Sequence, residues 1–208
     1  MVGLRRRLLT VTLAALGAVF AATLAVVIGD AQPVGFDASV ADFVAAHRSP
    51  GLTSGFKVVT GLGSTVFLVP VAALVGLALR RVTQRWRPLL ILAASLAGAS
   101  TLSNLIKLAI GRARPADGLV DTISSAFPSG HATAAAAGWI AIAIVLGGVT
   151  ASPWARRCIF AAAMLVVVIV GASRVYLGVH WSTDVLGGWA LGGLWVATVV
   201  LAVSRRGH

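Results

Sequence analysis

The chain has no glutamate, only six aspartates and 11% charged residues over 208 positions. Soluble domains carry close to a quarter, so a conventional water-facing surface is excluded. Its single cysteine, Cys158, excludes an intrachain disulfide and leaves the redox compartment unread. Histidine is also scarce: His47, His131, His180 and His208 are all there are, the last on the C-terminal tail. Lys107 and Arg174 would repel a cation placed among the remaining ligands, so no metal or other cofactor is expected. Nothing in the sequence repeats as a whole unit, and no low-complexity tail is present.

Apolar sequence is abundant. Mean hydropathy is +0.95, and 58% of residues are hydrophobic. Runs near 20 residues match the roughly 30 Å hydrocarbon core of a bilayer. Six such runs stand out, at about Leu8–Ile28, Leu62–Leu79, Leu89–Ile110, Ala132–Val149, Cys158–Val179 and Val185–Val203. They use most of the chain, leaving no room for a separate soluble domain. The prediction is an all-α bundle of six transmembrane helices, a single domain over residues 1–208. The first run is longer than the apolar stretch of a cleaved signal, which predicts an anchor. Cleavage after the small-residue stretch Gly29-Asp30-Ala31 would leave the remaining topology unchanged.

The net charge of +11 is a common footprint of nucleic-acid binding, but its distribution points elsewhere. Arg5–Arg7, Arg80, Arg81, Arg85, Arg87, Arg156, Arg157, Arg205 and Arg206 all fall on one side of a six-span layout. Every aspartate falls on the other. Basic residues in short loops mark the cytoplasmic face, so both termini are predicted inside, in a plasma membrane, and no nucleic-acid partner is expected.

The longest connection, Gly29 to Gly61, contains FDASVADFVAAHR. Phe36, Val40, Phe43 and Val44 recur there at helical spacing, which predicts a short helix. It would lie either on the outer interface, apolar face to lipid, or as a lid over the bundle. The small-residue stretches AAAAGW and LGGWALGG predict close helix approach inside the bundle. Trp86, Trp154 and Trp181 fall at span boundaries, where indoles prefer to sit. Oligomeric state is not legible.

Ionisable residues near membrane spans are expensive and usually face a bundle interior or an aqueous cavity. Three groups qualify. Lys107 ends the third span, with Arg112 and Arg114-Pro115 just beyond; Ser129-Gly130-His131 opens the fourth; Ser173-Arg174 ends the fifth, and His180 and Asp184 bracket the start of the sixth. All land at the same, external end. Lys107, Arg114 and Arg174 pool positive charge suited to a phosphate, which guanidinium groups grip bidentately. Ser129-Gly130 precedes a helix whose free N–H groups favour an anion. Asp184, four residues after His180, can hold one imidazole nitrogen and leave the other free to attack. His131 can protonate a leaving oxygen. Each group alone has a structural reading: a snorkelling arginine, a helix cap, a pair joining two helices. Their convergence favours chemistry. Tyr176, Leu177 and Val179 predict that the turn between the last two spans is anchored at the membrane boundary.

Together the groups resemble the tripartite signature of the type-2 phosphatidic acid phosphatase superfamily. Lys107 and Arg114-Pro115 are separated by six residues; Pro128-Ser129-Gly130-His131 is complete; Ser173-Arg174, five residues, His180, three residues and Asp184 complete the third part. The signature spans residues 107–184. The resemblance implies metal-independent hydrolysis of a phosphomonoester or diphosphate through a phosphohistidine. His180 would be the nucleophile, Asp184 its partner and His131 the general acid. Lys107, Arg114, Ser129, Gly130 and Arg174 would bind the phosphoryl oxygens, with Ser173 in the same shell. Arg112 lies outside the signature and receives no role. The implied substrates are membrane lipid phosphates, here a polyprenyl diphosphate (undecaprenyl or decaprenyl) ahead of phosphatidate or phosphatidylglycerol phosphate. A non-catalytic lipid-phosphate transporter or binding protein is the competing class.

Overall fold

The structure is a computed structural model that describes residues 2–29 and 33–205. The sequence stretch Gly29-Asp30-Ala31 lies largely outside the described residues, as do Arg206 and His208. Every regular element among the described residues is helical: α1 (Val2–Gly29), α2 (Gly35–Ala46), α3 (Pro50–Val59), α4 (Thr65–Thr83), α5 (Arg87–Ile110), α6 (Gly130–Val149), α7 (Pro153–Tyr176) and α8 (Ser182–Arg205). Among them α1, α4, α5, α6, α7 and α8 are long and apolar enough to cross a membrane, as the hydropathy pattern predicts.

Local chemistry moves two of the boundaries read from hydropathy. Leu62 and Gly63 belong to a 3₁₀ turn, Thr60–Gly63. α4 begins after Ser64, whose Oγ accepts the Phe67 N–H at 3.2 Å, an N-cap. α7 starts at Pro153, ahead of the apolar run: the Ser152 Oγ accepts the Ala155 N–H at 3.3 Å, and proline suits the first helical turn. The first connection also holds one helix more than its amphipathic stretch suggests. Ser49 caps α3, accepting the Leu52 N–H at 3.4 Å, with Pro50 as its first residue.

Helix α6 is the hub, packed by α4, α5, α7 and α8. It is apolar on all sides and alanine-rich, as a central membrane helix can be. Small residues set the spacing. A Cβ on Gly192 would lie 2.6 Å from the Thr133 carbonyl oxygen, and one on Gly188 would lie 2.8 Å from that of Ser129. That is close α6–α8 packing, and it uses the two stretches singled out in the sequence. Elsewhere indoles fill glycine gaps. Trp195 sits over Gly98 and donates its Nε1–H to Ala94 O at 2.9 Å, while Trp189 covers Gly171.

The connections α5–α6 and α7–α8 meet at one end of the bundle, and helices α2 and α3 dock there. Tyr176, Leu177 and Val179 are buried against Val44, Phe56, Leu119 and Val120. This corrects the expectation that they anchor the turn to the membrane boundary; they pin α2 and α3 to the bundle instead. The Tyr176 hydroxyl accepts the Ser49 N–H at 2.9 Å, and its ring lies 4.5 Å from that of Phe56. On α2, Val44 and the buried Asp37 face the protein, while Phe36 and Phe43 are exposed. At the opposite end, Trp86 lies under the Arg80 guanidinium, 4.7 Å from its ring centroid.

Candidate active site

Two glycines with positive φ shape the site end. Gly111 (φ 66°) ends α5 one turn after Lys107, and Gly178 (φ 66°) ends α7 just after Arg174; that region of backbone space disfavours residues with a Cβ. At Gly178 a Cβ would also lie 2.4 Å from Arg48 Nη2. The 111–129 segment folds back over α8, with Ser129 N–H donating to Asp184 O at 2.9 Å and Leu119 N–H to Leu177 O at 2.8 Å.

These returns enclose a cavity of about 450 Å³ lined by Lys107, Arg114, Gly130, His131, Arg174 and His180, with Ser100, Ser103, Asn104 and the 63–66 turn opposite. Asp184 stands directly behind His180. The two serines expected in the phosphate shell do not line the cavity. Ser129 caps α6, its Oγ accepting the Ala132 N–H at 3.5 Å; the Ser173 hydroxyl donates to Val170 O at 2.6 Å. Both are fully buried.

Lys107 and Arg114 are held by carbonyl oxygens, Arg174 by a hydroxyl. Lys107 Nζ donates to Ser125 O. Arg114 Nε donates to Ser124 O at 2.7 Å, and its Nη1 donates to Val179 O at 2.5 Å. Arg174 Nη1 donates to Thr60 Oγ1 at 2.9 Å, while its Nε is buried without a protein partner. A cluster of three cations with spare donors attracts an anion, and the first N–H groups of α6 at Gly130 and His131 add to that field.

His180 is 3% exposed, which leaves it almost no water to solvate a charge. Arg114 Nη1 lies 3.1 Å from its Nε2. A guanidinium can only donate, so Nε2 is the acceptor and the ring proton sits on Nδ1, 3.4 Å from Asp184 Oδ2. That carboxylate also accepts the Trp181 N–H at 2.8 Å and stands in the first turn of α8, where negative charge is favoured. Burial pushes the His180 imidazole down to about 3; Asp184 opposes the shift, and Arg114 and Arg174 add to it. The ring is therefore neutral at physiological pH.

The sign of the resulting linkage follows. The folded value is below the unfolded one of about 6.5, so the unfolded chain binds a proton that the folded chain refuses. This contribution to stability is complete above about pH 6.5 and is lost as pH falls toward 3, by up to about 1.4 kcal/mol per pH unit. In detergent, the thermal midpoint should fall between about pH 7 and pH 5, and His180→Asn should flatten the slope. An unchanged slope in that variant would refute the assignment.

Sequence reasoning passed over two charged groups. Arg112, given no role, is buried, and its Nη1 meets Asp184 Oδ1 at 2.5 Å. Asp37, one of the aspartates placed on the external side and given no role, is 1% exposed and pairs with Arg112 Nη2 at 2.9 Å. For Arg112, the available signal was an arginine two residues before Arg114 at a span end. For Asp37 there was none, since amphipathic spacing does not say which face carries a buried charge.

Six membrane-length helices with a cationic, histidine-bearing cavity at one end define a multi-pass membrane protein with an anion-attracting pocket. Residues 88–208 match the model of the PAP2 superfamily, and the chain belongs to that superfamily. It is 36% identical over 161 residues to phosphatidylglycerophosphatase B of Bacillus subtilis (strain 168), covering 75% of this chain and 77% of that one. It is 26% identical over 188 residues to an undecaprenyl-diphosphatase of Sulfolobus acidocaldarius, covering 86% and 84%. The fold matches the crystal structure of a transmembrane PAP2-type phosphatidylglycerolphosphate phosphatase from Bacillus subtilis with a TM-score of 0.85 and 31% identity, over 93% of this chain and 96% of that one. The protein is thus a membrane lipid phosphatase that hydrolyses phosphate esters, the expected class, rather than a non-catalytic transporter.

Proposed function

We propose that the enzyme removes the terminal phosphate of a glycerophospholipid monoester, of which phosphatidylglycerol phosphate is the type, on the outer face of the plasma membrane. The observation that carries this reading is the course of the cavity. Its cations cluster around Lys107, at the end of α5. Asn104, Ser103 and Ser100 continue along the same helix for two turns, about 10 Å at 1.5 Å per residue. Ser100 and Thr65 then line a second, apolar cavity of about 480 Å³, with Val69, Ala72, Leu89, Leu92 and Leu96. Phosphate, a neutral hydroxyl-bearing stretch and hydrocarbon thus have successive places, which suits a lipid whose phosphate and tails are separated by a polar spacer.

In this reading the phosphoryl oxygens draw Arg114 onto themselves, alongside Lys107, Arg174 and the N-terminus of α6. The freed His180 Nε2 attacks phosphorus, the P–O bond to the lipid breaks, and His131 gives its proton to the leaving alkoxide. Neutral His131 then takes a proton from water, which attacks the phosphohistidine and releases phosphate. Asp184 holds Nδ1–H and balances the positive ring. Ser129 and Ser173 support this shell through the backbone. The arginine-rich loops at the opposite end support the outward placement of the site.

The likeness to the Sulfolobus undecaprenyl-diphosphatase supports a second reading, the polyprenyl diphosphate expected from the sequence. A diphosphate joins hydrocarbon directly and would leave the serine and asparagine stretch without a polar partner. Phosphate release from phosphatidylglycerol phosphate, phosphatidate and undecaprenyl diphosphate in mixed micelles decides between them. The first should have a kcat/KM at least about tenfold above the last, a preference of about 1.4 kcal/mol. The reverse order would overturn this choice of substrate.

A further inference from the structure

Asp37 lies outside the residues matched by the family model, 88–208, yet it is tied to the same site. Its Oδ1 accepts the Thr183 N–H at 2.9 Å, and its Oδ2 accepts the Thr183 hydroxyl at 2.6 Å and Arg112 Nη2–H at 2.9 Å. Arg112 Nη1 donates in turn to Thr183 Oγ1 at 2.7 Å and to Asp184 Oδ1 at 2.5 Å. The charged members are almost completely inaccessible: Asp37 1%, Arg112 6%, Asp184 0%. A helix of the first connection, the segment after α5 and the first turn of α8 are thereby joined behind His180.

The charge balance shows what Asp37 contributes. Arg112 alone would neutralise Asp184, leaving His180 beside an uncharged ion pair. One guanidinium between two carboxylates instead leaves one unit of negative charge on the network. The phosphorylated imidazole keeps its Nδ1–H and becomes positive, so a net carboxylate charge behind it is worth much more than a neutral pair in a poorly solvated interior. Burying three charges to staple α2 to α8 would be costly on its own, since apolar residues of similar volume do that work as well.

We propose that Asp37 and Arg112 are positioning residues for the phosphotransfer: Arg112 fixes the Asp184 carboxylate toward His180, and Asp37 restores the negative charge that Arg112 would cancel. This rests on His180 being the nucleophile, as read above.

The test is charge compensation in the full-length protein, with phosphatidylglycerol phosphate in micelles. Asp37→Asn, nearly isosteric, should lower kcat by about 10- to 100-fold with KM within about twofold. Adding Arg112→Gln removes one positive charge, returns the network to its original net charge, and should recover kcat several-fold over the single variant. A mere staple predicts the opposite, because the double variant loses more hydrogen bonds; equal or lower kcat in the double variant overturns the proposal. If Asp37→Asn does not accumulate in membranes, Arg112→Lys serves instead. It keeps the charge without the two-pronged grip, so kcat should fall about tenfold at constant KM. An Arg112→Lys enzyme within about twofold of wild type in kcat counts equally against the relay. His180→Ala run in parallel separates the two failures: an active His180→Ala removes the underlying reading, whereas an inactive one with uncompensated Asp37 variants removes only the relay.

Discussion

His180→Ala should reduce phosphate release by at least about a thousandfold, the scale on which enzymes lose a covalent nucleophile. The expectation rests on the direction of the ring. Its Nε2 carries the lone pair and borders the cavity, while Nδ1–H faces Asp184. No other described histidine combines cavity access with a carboxylate partner: His131 borders the cavity without one, and His47 caps the exposed end of α2, stacked on Phe43. The residual rate of His180→Ala should not respond to added imidazole if the site excludes it, so alkaline-quench trapping of phosphoprotein is the sharper readout. Wild-type enzyme quenched during turnover should carry an acid-labile, base-stable phosphoryl group that is missing in His180→Ala. In His131→Ala the same group should be formed slowly or turned over slowly, because proton delivery rather than attack is impaired. A His180→Ala enzyme within tenfold of wild type would transfer the nucleophile's role elsewhere.

Much of this site could be read from the chain before any fold was known, for a physical reason. In a sequence with so few charges, each one left near a membrane span demands an explanation, so Lys107, Arg114, Arg174 and His180 announced themselves. Alternating spans then sent them to one end. The hub role of α6 was legible in the same way, since only small residues let α8 approach so closely. What escaped were long-range pairings. Asp37 and Arg112 are separated by the whole of α3, α4 and α5, and no local spacing links them. Nor does the sequence distinguish the Ser129 and Ser173 hydroxyls that serve the backbone from hydroxyls facing the cavity. The first connection was legible as amphipathic, but its second helix depends on the Ser49-Pro50 cap, a local signal masked by the apolar background.

The second large effect is expected at Arg174. Its guanidinium is buried at the end of α7, gives one N–H to Thr60 and leaves Nε without a protein partner. A buried donor left unpaired costs free energy, so the fold holds this group ready at the expense of its own stability. Lys107 and Arg114 share the cavity, and their mutual repulsion with Arg174 adds to that expense. A phosphoryl group arriving there takes two charge-assisted hydrogen bonds, each worth about 1.5–3 kcal/mol. Arg174→Ala should therefore lower kcat/KM by about a hundredfold to ten-thousandfold. Arg174→Lys should recover only part of this, since a point charge cannot reproduce the planar grip. Vanadate, a mimic of the pentacoordinate phosphorus formed in the reaction, should lose inhibitory strength in parallel with kcat/KM, because both depend on the same contacts in the same geometry. Meanwhile the thermal midpoint should hold steady or rise, as relief of repulsion and of the unpaired donor offsets lost packing. A variant that loses activity and stability together would make Arg174 a structural residue; one that keeps activity within tenfold would leave the phosphate to Lys107, Arg114 and the α6 N-terminus.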